Sequence, residues 1–513
     1  MGALHAQIKR PRLERSDQSP PPRRLTQETP IDACRQSARL RALTARLACA
    51  TALAASLTAC ALGPRYEQSA LEIPAEFRAS AATAPAAWPD ASWWRGFGDA
   101  TLDSLIAQAR ANNTDLAAAA ARIAQADAQL RIAGAPLLPS VSLGGSGSFT
   151  RESASRATRG GSSSRMLDLR SYSVGPDISW QVDFWGRTQA LTDSQLAQAI
   201  ASRFDQESVA LTVTTAVAST WFQALGTTDR LAVAERNLAD AEQILQVIRA
   251  RLDAGTATAL DVAQQETLAA SQRAAIPGLR LQIQQAVNGL GILLGRPPEA
   301  VTPRPGSLTN LPVPNVVPGL PSELLARRPD IAAAEARLKG ASANIRAARA
   351  AFYPSIVLTG SGGWQSTALS ALFGPGAFAT TLAANITAPL FDGGQRSGQL
   401  ALSRAQSDEL VATYRKSVLQ AFTDTENALS AVAENTEQED LQRRAVASAE
   451  RAVLISRARL DAGTIDVTTL LNTQASLYNA QDNLAQVRLA RMLSVINLYK
   501  ALGGGWTLPA PQG

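Results

Sequence analysis

Histidine and cysteine are nearly missing from this chain. Its 513 residues hold one histidine, His5, and three cysteines, Cys34, Cys49 and Cys60. His5, Cys34 and Cys49 lie in a stretch with the plan of a removed leader, so the chain beyond it keeps Cys60 alone and no histidine. That excludes an internal disulfide, a histidine-based metal site, and a Ser–His or Cys–His nucleophilic pair. No phosphate loop of the form G-x-x-x-x-G-K-[ST] and no G-x-S-x-G elbow occurs; Gly144-Gly145-Ser146-Gly147-Ser148 is glycine-rich but lacks the lysine. No residue is assigned a catalytic role, no metal ligand set or dissociable cofactor is expected, and the chain does not read as an enzyme.

Aromatic residues are scarce too, at 5%. Alanine dominates the apolar fraction, which suits closely approaching helices better than a bulky core. The excess of positive charge, +6, is local. Residues 1–59 hold ten of the 49 Lys and Arg and four of the 43 Asp and Glu, which leaves 39 of each sign in the rest. A neutral body gives no reason to expect a nucleic-acid partner.

Arg35, Arg39, Arg41 and Arg46 precede the apolar run Leu47 to Ala59, which is too short to span a bilayer and has the plan of a secretory signal. It ends Leu57-Thr58-Ala59-Cys60, a pattern like a bacterial lipobox, in which cleavage precedes the cysteine and the thiol carries a lipid. Residues 1–59 are therefore expected to be removed, and Cys60 is the expected lipid attachment site.

What the chain does have is a repeat. Arg249-Ala250-Arg251-Leu252-Asp253-Ala254-Gly255-Thr256 returns letter for letter as Arg457-Ala458-Arg459-Leu460-Asp461-Ala462-Gly463-Thr464, 208 positions on. Each copy ends a long helix-favouring run and puts Gly where a helix terminus needs positive φ, then Thr where the next helix can be capped, so each reads as the tip of a helical hairpin.

Residues 60–98 form a Pro- and Ala-rich tether ending in the knot Trp93-Trp94-Arg95-Gly96-Phe97, read as a packing anchor. Repeat 1, residues 99–296, opens with a helix and then alternates with a period of two: Val141, Leu143, Gly145, Gly147 and Phe149 on one face, and, after a polar segment from Thr150 to Arg170, Tyr172, Val174, Pro176, Ile178, Trp180, Val182 and Phe184. Two strands are expected at about 139–149 and 172–184, each with one apolar face, as in a membrane-spanning or a half-buried strand. From Arg187 to Leu252 the sequence is helical without a proline, about 100 Å at 1.5 Å per residue. Leu231, Leu238, Leu245 and Leu252, with Ala234, Ala241 and Ile248, read as a heptad seam. Thr258 to Leu294 returns antiparallel, with an interruption expected at Pro277-Gly278.

A Pro-rich linker, residues 297–321, precedes repeat 2, residues 322–505, whose strands are expected at about 354–364 and 381–391, the latter carrying Leu382, Ala384, Ile386, Ala388 and Leu390 on one face. Residues 506–513 form a tail. The first strands correspond at a displacement of 215 (Pro139-Ser140-Val141 and Pro354-Ser355-Ile356), while Gly186, the tip and Gly295 correspond with Gly394, the second tip and Gly503 at 208, so seven extra residues lie in the first inter-strand loop. The second long helix, Gln395 to Leu460, keeps a diluted seam at Val446, Val453 and Leu460. If the four strands span a membrane they cannot close a barrel alone, because small barrels need about eight, so oligomerisation follows.

The lipobox with Gly63-Pro64-x-Tyr66, the Trp pair, Asp183-Phe184-Trp185-Gly186-Arg187 and Phe391-Asp392-Gly393-Gly394 at the strand-to-helix junctions, and both tips, in this order and spacing, resemble the TolC/OprM-type outer-membrane efflux lipoproteins, NodT-like outer-membrane factors of tripartite efflux systems. The resemblance covers Cys60 to Trp506. It implies a mainly α fold with membrane β, a TolC-like duct in which four β-strands per chain enter a trimeric 12-strand outer-membrane barrel continuous with a long periplasmic α-helical barrel. It implies a homotrimer lipid-anchored in the outer membrane, a periplasmic adaptor protein, an inner-membrane transporter, and passage of small molecules such as drugs outward from the periplasm, the transporter being of the proton-driven RND type.

For the tips, the resemblance implies that Arg249, Arg251, Asp253, Gly255 and Thr256, with Arg457, Arg459, Asp461, Gly463 and Thr464, face the adaptor. It also implies a closed periplasmic entrance lined by acidic residues, a position that Asp261 matches. In repeat 2 the corresponding place is Thr469, a second usually acidic place is Asn472, and Asp466 is the nearest carboxylate. Two alternatives stay open: a duct of the same fold serving protein secretion (type I) or metal-ion efflux, against which Met166 and Met492 stand isolated, and a lipid-anchored periplasmic coiled-coil scaffold with the alternating segments folded as a soluble sheet.

Overall fold

The structure is a computed structural model and describes residues 73–78, 88–152, 167–303, 305–316 and 319–508. Cys60 and the rest of the lipobox, Gly63, Pro64, Tyr66 and Met166 lie outside the described residues, as does the middle of the first inter-strand segment.

The chain runs twice through one plan. After a 3-10 turn at Trp93–Phe97, helices α1 (Ala100–Asn112) and α2 (Thr114–Gly134) lead into strands β1 (Ser140–Glu152) and β2 (Leu167–Val182), then a long helix α3 (Arg187–Asp253) and its return α4 (Ala259–Leu293). The second pass is a single turn at Pro321–Leu324, α5 (Pro329–Ala350), β3 (Ser355–Ser366), β4 (Phe378–Thr387), α6 (Gln395–Asp461) and α7 (Val467–Ala501). Both ends of α6 and α7 are those of α3 and α4 moved by 208. The glycines that break the helices correspond too: Gly186 and Gly394, Gly255 and Gly463, Gly295 and Gly503 all hold positive φ, between 62° and 90°, where a side chain would strain the backbone.

The strands form one antiparallel sheet in the order β1-β2-β3-β4. Register decides its two faces, because directly paired residues point the same way. One row runs Val141, Ile178, Gly360, Leu382; the next run Trp180, Leu358, Ala384 and Val182, Ile356, Ile386. The opposite face carries Ser140, Ser179, Thr359 and Gln181, Val357, Asn385. The alternating residues of four separate segments thus merge into one apolar face backed by one polar face, and the apolar one is bare: Leu143 is 79% exposed and Leu382 90%.

Aromatic side chains mark both ends of that face. At one end Trp364 meets Phe373 and Phe378 edge-on, with Phe149 under Arg170; at the other Trp185 stacks on Tyr353 at 4.8 Å and donates Nε1 to the Pro354 carbonyl, and Trp180 donates to Leu137. Ten residues of strand between them, tilted about 40°, span about 25 Å, the height of a hydrocarbon layer. β1 and β4 are open edges in the single chain.

The main core lies where the linker, α1 and the middle of the long helices meet. Trp93 stacks on Tyr499 at 4.6 Å, Phe97 packs edge-on against Phe222, and Trp221 donates Nε1 to Asp99 Oδ2 at 2.6 Å, while Asp99 Oδ1 caps α1. The Trp knot is the packing anchor expected.

Several expectations need correction. The strands differ in length from the alternating stretches: β1 runs to Glu152 and β2 begins at Leu167, because hairpin pairing continues into the polar segment, where backbone hydrogen bonds do not need apolar side chains. β4 ends at Thr387, so Ala388 and Leu390 are not strand here; β4 is an open edge, and Leu390 is 98% exposed. α4 continues through Pro277 from Ala259 to Leu293, and Ile276 and Leu279 on either side of the proline pack in a cluster with Ala234. In α3 the Ala234, Ala241 and Ile248 half of the seam is buried as expected, together with Asn237 and Ile244, whereas Leu231, Leu238 and Leu245 lie half-buried on its flank and Leu252 is exposed. Small residues take the centre because they let the helices come close. In α6, Val453 and Leu460 are buried as expected, with Ser456 between them, and Val446 is half-buried. The linker is not featureless either: it makes 3-10 turns at Pro298–Ala300 and Leu308–Asn310 and buries Val301 and Leu308.

Candidate functional site at the hairpin tips

Each tip is a helix stop followed within a few residues by a helix start. In the first, Gly255 at φ 72° lets the chain reverse, Gly255 N–H donates to the Leu252 carbonyl and Thr256 N–H to the Arg251 carbonyl, at 2.9 and 2.8 Å. The second repeats this with Gly463 to Leu460 and Thr464 to Arg459, at 3.1 and 2.9 Å. Both threonine hydroxyls also donate to those arginine carbonyls. Thr256 and Thr464 therefore finish the incoming helix, a correction to the expectation that they cap the outgoing one, because the six-residue closure uses up their side chains.

The outgoing helices are capped two residues further on, by a device present in both tips with its letters exchanged. In the first, Thr258 is the N-cap and Asp261 the third helical residue: Asp261 Oδ2 accepts from Thr258 N–H at 2.8 Å and its hydroxyl at 2.7 Å, and Thr258 Oγ1 accepts from Asp261 N–H. In the second, Asp466 is the N-cap and Thr469 the third residue, and Asp466 Oδ1 accepts from the Thr469 N–H at 2.8 Å and hydroxyl at 2.6 Å. The first is a reciprocal capping box, whereas the second is an N-cap centred on the Asp466 carboxylate alone. This explains why an acidic residue is absent at 469: the carboxylate of the second hairpin has moved three residues back. The Thr469 hydrogen bonds hold the Asp466 carboxyl below its usual range. Asn472 is exposed on α7, one turn further along.

The charged residues of the two identical tips have unequal partners. Arg249 pairs with Glu266 at 2.5 Å. The position corresponding to Glu266 is Gln474, so Arg457 has no such acid; it lies instead near Tyr478, whose hydroxyl burial and Asp240 push up to about 12, with Arg457 opposing. Arg251 crosses from the first hairpin to the second, donating Nη2 to Asp461 at 2.7 Å and Nη1 to the Leu460 carbonyl at 3.3 Å. Its copy Arg459, and Asp253, the copy of Asp461, form no ion pair among the described residues. The structure thus brings together both tips, Asp261 with Thr258, and Asp466 with Thr469; it leaves Arg459, Asp253 and Asn472 facing outward.

Sequence reasoning passed over the polar centre higher in the second hairpin. Glu439, 3% exposed, accepts from Arg443 at 2.6 Å and from Arg488 and Arg491 of α7 at 3.1 and 2.9 Å. Burial opposes its ionisation, but the hydrogen bonds from Arg491 and Arg443, the charge of Arg443 and the bond from Arg488 outweigh it and hold the carboxyl below its usual range. Only the 439–443 spacing was visible in the sequence. Among the described residues no cluster of His, Cys, Asp and Glu is arranged to hold a metal ion.

Comparison with known proteins agrees with this architecture. A sequence model described as outer membrane efflux protein matches residues 105–296 and 320–504. The chain is 38% identical over 469 residues to the pyoverdine export outer membrane protein OpmQ of Pseudomonas putida, covering 90% of this chain and 98% of that one, and 40% identical over 453 residues to OpmQ of Pseudomonas aeruginosa, covering 88% and 95%. Among solved structures, the open state of the Neisseria gonorrhoeae MtrE outer membrane channel superposes with a TM-score of 0.78 at 30% identity, over 88% of this chain and 99% of that one.

Proposed function

The chain belongs to the outer membrane efflux protein family, and from that premise we propose that three copies of it form a duct that docks a periplasmic adaptor on its hairpin tips and releases small organic molecules outside the cell. It is an outer-membrane channel of an efflux system, with its helical part in the periplasm, and not an enzyme. Channels of the family are trimers that work with an adaptor and an inner-membrane pump.

One observation carries the reading for this chain. A four-stranded sheet with a bare apolar face, a polar reverse face and two open edges continues at Gly186 and Gly394 directly into helices about 100 Å long. Such a sheet is stable in lipid only when its edges are paired, which three copies accomplish with twelve strands. The polar face then lines a water-filled passage and the helices extend it towards the inner membrane. A soluble scaffold would have no use for a lipid-height apolar face.

The tips present charge at the far end of the helices, which supports Arg249, Arg251, Asp253, Gly255, Thr256 and their copies as the adaptor surface. Asp261, Asp466, Thr469 and Asn472 lie within three turns beyond the tip glycines, where three copies would ring the periplasmic entrance. Small organic cargo is supported by the relatives named above, whose names give pyoverdine export, and a proton-driven inner-membrane transporter is the partner proposed. Cys60 is proposed to carry a lipid, which anchors each copy.

The test is deletion of the gene with complementation, scored for export of fluorescent dyes, siderophores, metal ions and secreted protein. Loss of small-molecule export supports the reading; loss of metal-ion tolerance or of protein secretion alone moves the duct to those systems. Cys60→Ser protein that still incorporates labelled palmitate would remove the anchor from the account.

A further inference from the structure

The rim of the sheet farthest from the helices carries cations on its lipid side. There Phe149 is in register with Arg170, and Arg151 with Asp168. Odd residues of β1 and even residues of β2 share the apolar face, so Arg151 and Arg170 both belong to the side that meets lipid. The polar face at that level has Ser148, Thr150, Leu169 and Ser171, all uncharged. The geometry points to a binding site for a phosphorylated glycolipid of the outer leaflet, its phosphate on Arg170 with Arg151 beside it, one site on each copy. This rests on the membrane-spanning sheet of the preceding section and names a lipid that the sheet holds.

Height selects the head group rather than the acyl chains. From Val182, where the apolar face begins at the helix end, β2 runs twelve residues to Arg170. At about 3.3 Å a residue and a tilt of about 40° that is a rise of about 30 Å. An outer-membrane hydrocarbon layer of about 25 Å that starts at Val182 therefore stops about 5 Å short of Arg170, and head groups fill the next few ångströms. Both guanidinium groups lie over the Phe149 ring, Arg170 at 5.7 Å and Arg151 at 6.0 Å from its centre. Phe149 sets the two cations side by side, and a guanidinium presents the planar fork that phosphate oxygens accept from.

The charge sits where a phosphate-bearing leaflet would be. At the helix end the same face finishes in Val182, Ile356 and Ile386 and passes into exposed Phe184 and Leu390, all uncharged. From Trp364 to Phe391, which includes the whole turn between β3 and β4, there is no Asp, Glu, Lys or Arg. Among the described residues the cations of the lipid face are thus confined to the rim that faces out of the cell. Arg170 is exposed there and forms no ion pair among the described residues.

The neighbouring turn supplies the apolar half of the site. Tyr172 pairs with Ser366, the last residue of β3, so Arg170, two residues on, comes level with the approach to the 3-10 turn Leu369–Ala371. That segment folds back on the lipid side: Phe373 meets Trp364 edge-on at 5.6 Å, and Leu372 is buried. Leu369 stays 65% exposed and Phe373 72%, a loss in water and a gain against acyl chains. Arg170 stands between Phe149 and this turn, a cation with an apolar flank on either side. An amphiphile with a phosphorylated head and several acyl chains matches both parts. Free phosphate would gain nothing from the flanks, and a zwitterionic lipid would bring a cation of its own towards the arginines.

The experiment counts lipid on the full-chain oligomer, purified from outer membranes in detergent, by native mass spectrometry. The probes are lipid A, lipid A stripped of its phosphates, and inorganic phosphate. The parent is expected to hold lipid A in preference to the stripped form, and inorganic phosphate at the same concentration to displace none of it. Arg170→Gln should weaken lipid A binding about fivefold, the factor one cation at a membrane surface contributes, and adding Arg151→Gln should weaken it further. Arg170→Lys should keep most of the binding, and Arg131→Gln, at an exposed arginine of α2, should keep all of it. A parent that holds no lipid A or holds both forms equally, a double variant that binds like the parent, or displacement by inorganic phosphate overturns the site and leaves the membrane-spanning sheet standing. A parent chain that does not fractionate with the outer membrane overturns the preceding reading instead.

Discussion

Glu439 offers the sharpest test of how the second hairpin is held. Its side chain is 4% exposed and its carboxylate takes three guanidinium groups, Oε1 from Arg443 and Arg488 and Oε2 from Arg491. In Glu439→Gln an amide NH2 would face donors, and three cations would lose their common anion. Removing one partner of a fully buried ion pair costs about 3–5 kcal/mol. The arginines here are between 23% and 51% exposed, so water recovers part of that, and about 2–3 kcal/mol per copy is expected. Arg443→Ala takes away the most exposed of the three guanidinium groups and leaves Arg488 and Arg491 on the carboxylate, so it should cost less, about 1 kcal/mol. Thermal or urea unfolding of the detergent-solubilised protein would rank the two. The pH dependence has a definite sign: the carboxyl is depressed in the folded state, so its contribution is complete above the ordinary glutamate range and is lost as pH falls through the folded value. The gap between parent and Glu439→Gln should therefore narrow on acidification below about pH 4.3. Equal stability of parent and Glu439→Gln at neutral pH, or a gap that widens on acidification, would refute the reasoning.

The capping box predicts that Asp261→Thr loses local order at the first tip, seen as faster amide exchange over the first turn of α4, and that adding Thr258→Asp recovers it by copying the second tip; the single change should cost about 1 kcal/mol. If the single and double variants exchange alike, the carboxylate is not a cap. Gly363→Ala should block assembly of the sheet, since its Cβ would stand 2.4 Å from the Val174 carbonyl oxygen in the middle of the β2–β3 pairing, whereas Gly362→Ala, with its nearest neighbour at 3.6 Å, should insert normally. Heat-modifiable gel mobility of outer-membrane fractions separates them, and equal insertion of both would contradict the register.

Much of this architecture is written in the sequence because it is periodic. The 67-residue helices lack proline, the strands alternate, and the octapeptide marks both tips, so each element is announced by local pattern. What could not be read depends on contacts between distant segments. The leucines at 231, 238 and 245 look like a seam because leucine usually lies at one, yet the alanines take the centre and the leucines flank it. Thr256 and Thr258 are equally good caps on paper, and only the six-residue closure onto Arg251 shows which helix each serves. The Glu439 centre draws on residues about 50 positions away, and neither arginine of α7 stands out in an alternating row of polar residues. The merging of four alternating stretches into one apolar face is a matter of register, which alternation alone leaves open.

The central claim is that this chain is one third of a closed duct, its four-stranded sheet completed by copies of itself. Electron cryomicroscopy of the oligomer purified from outer membranes tests it most directly. The account predicts three copies around an axis and twelve strands with the Val141, Ile178 and Leu382 face turned to detergent. A particle with another number of copies, or a sheet whose apolar face is folded against protein, would contradict it.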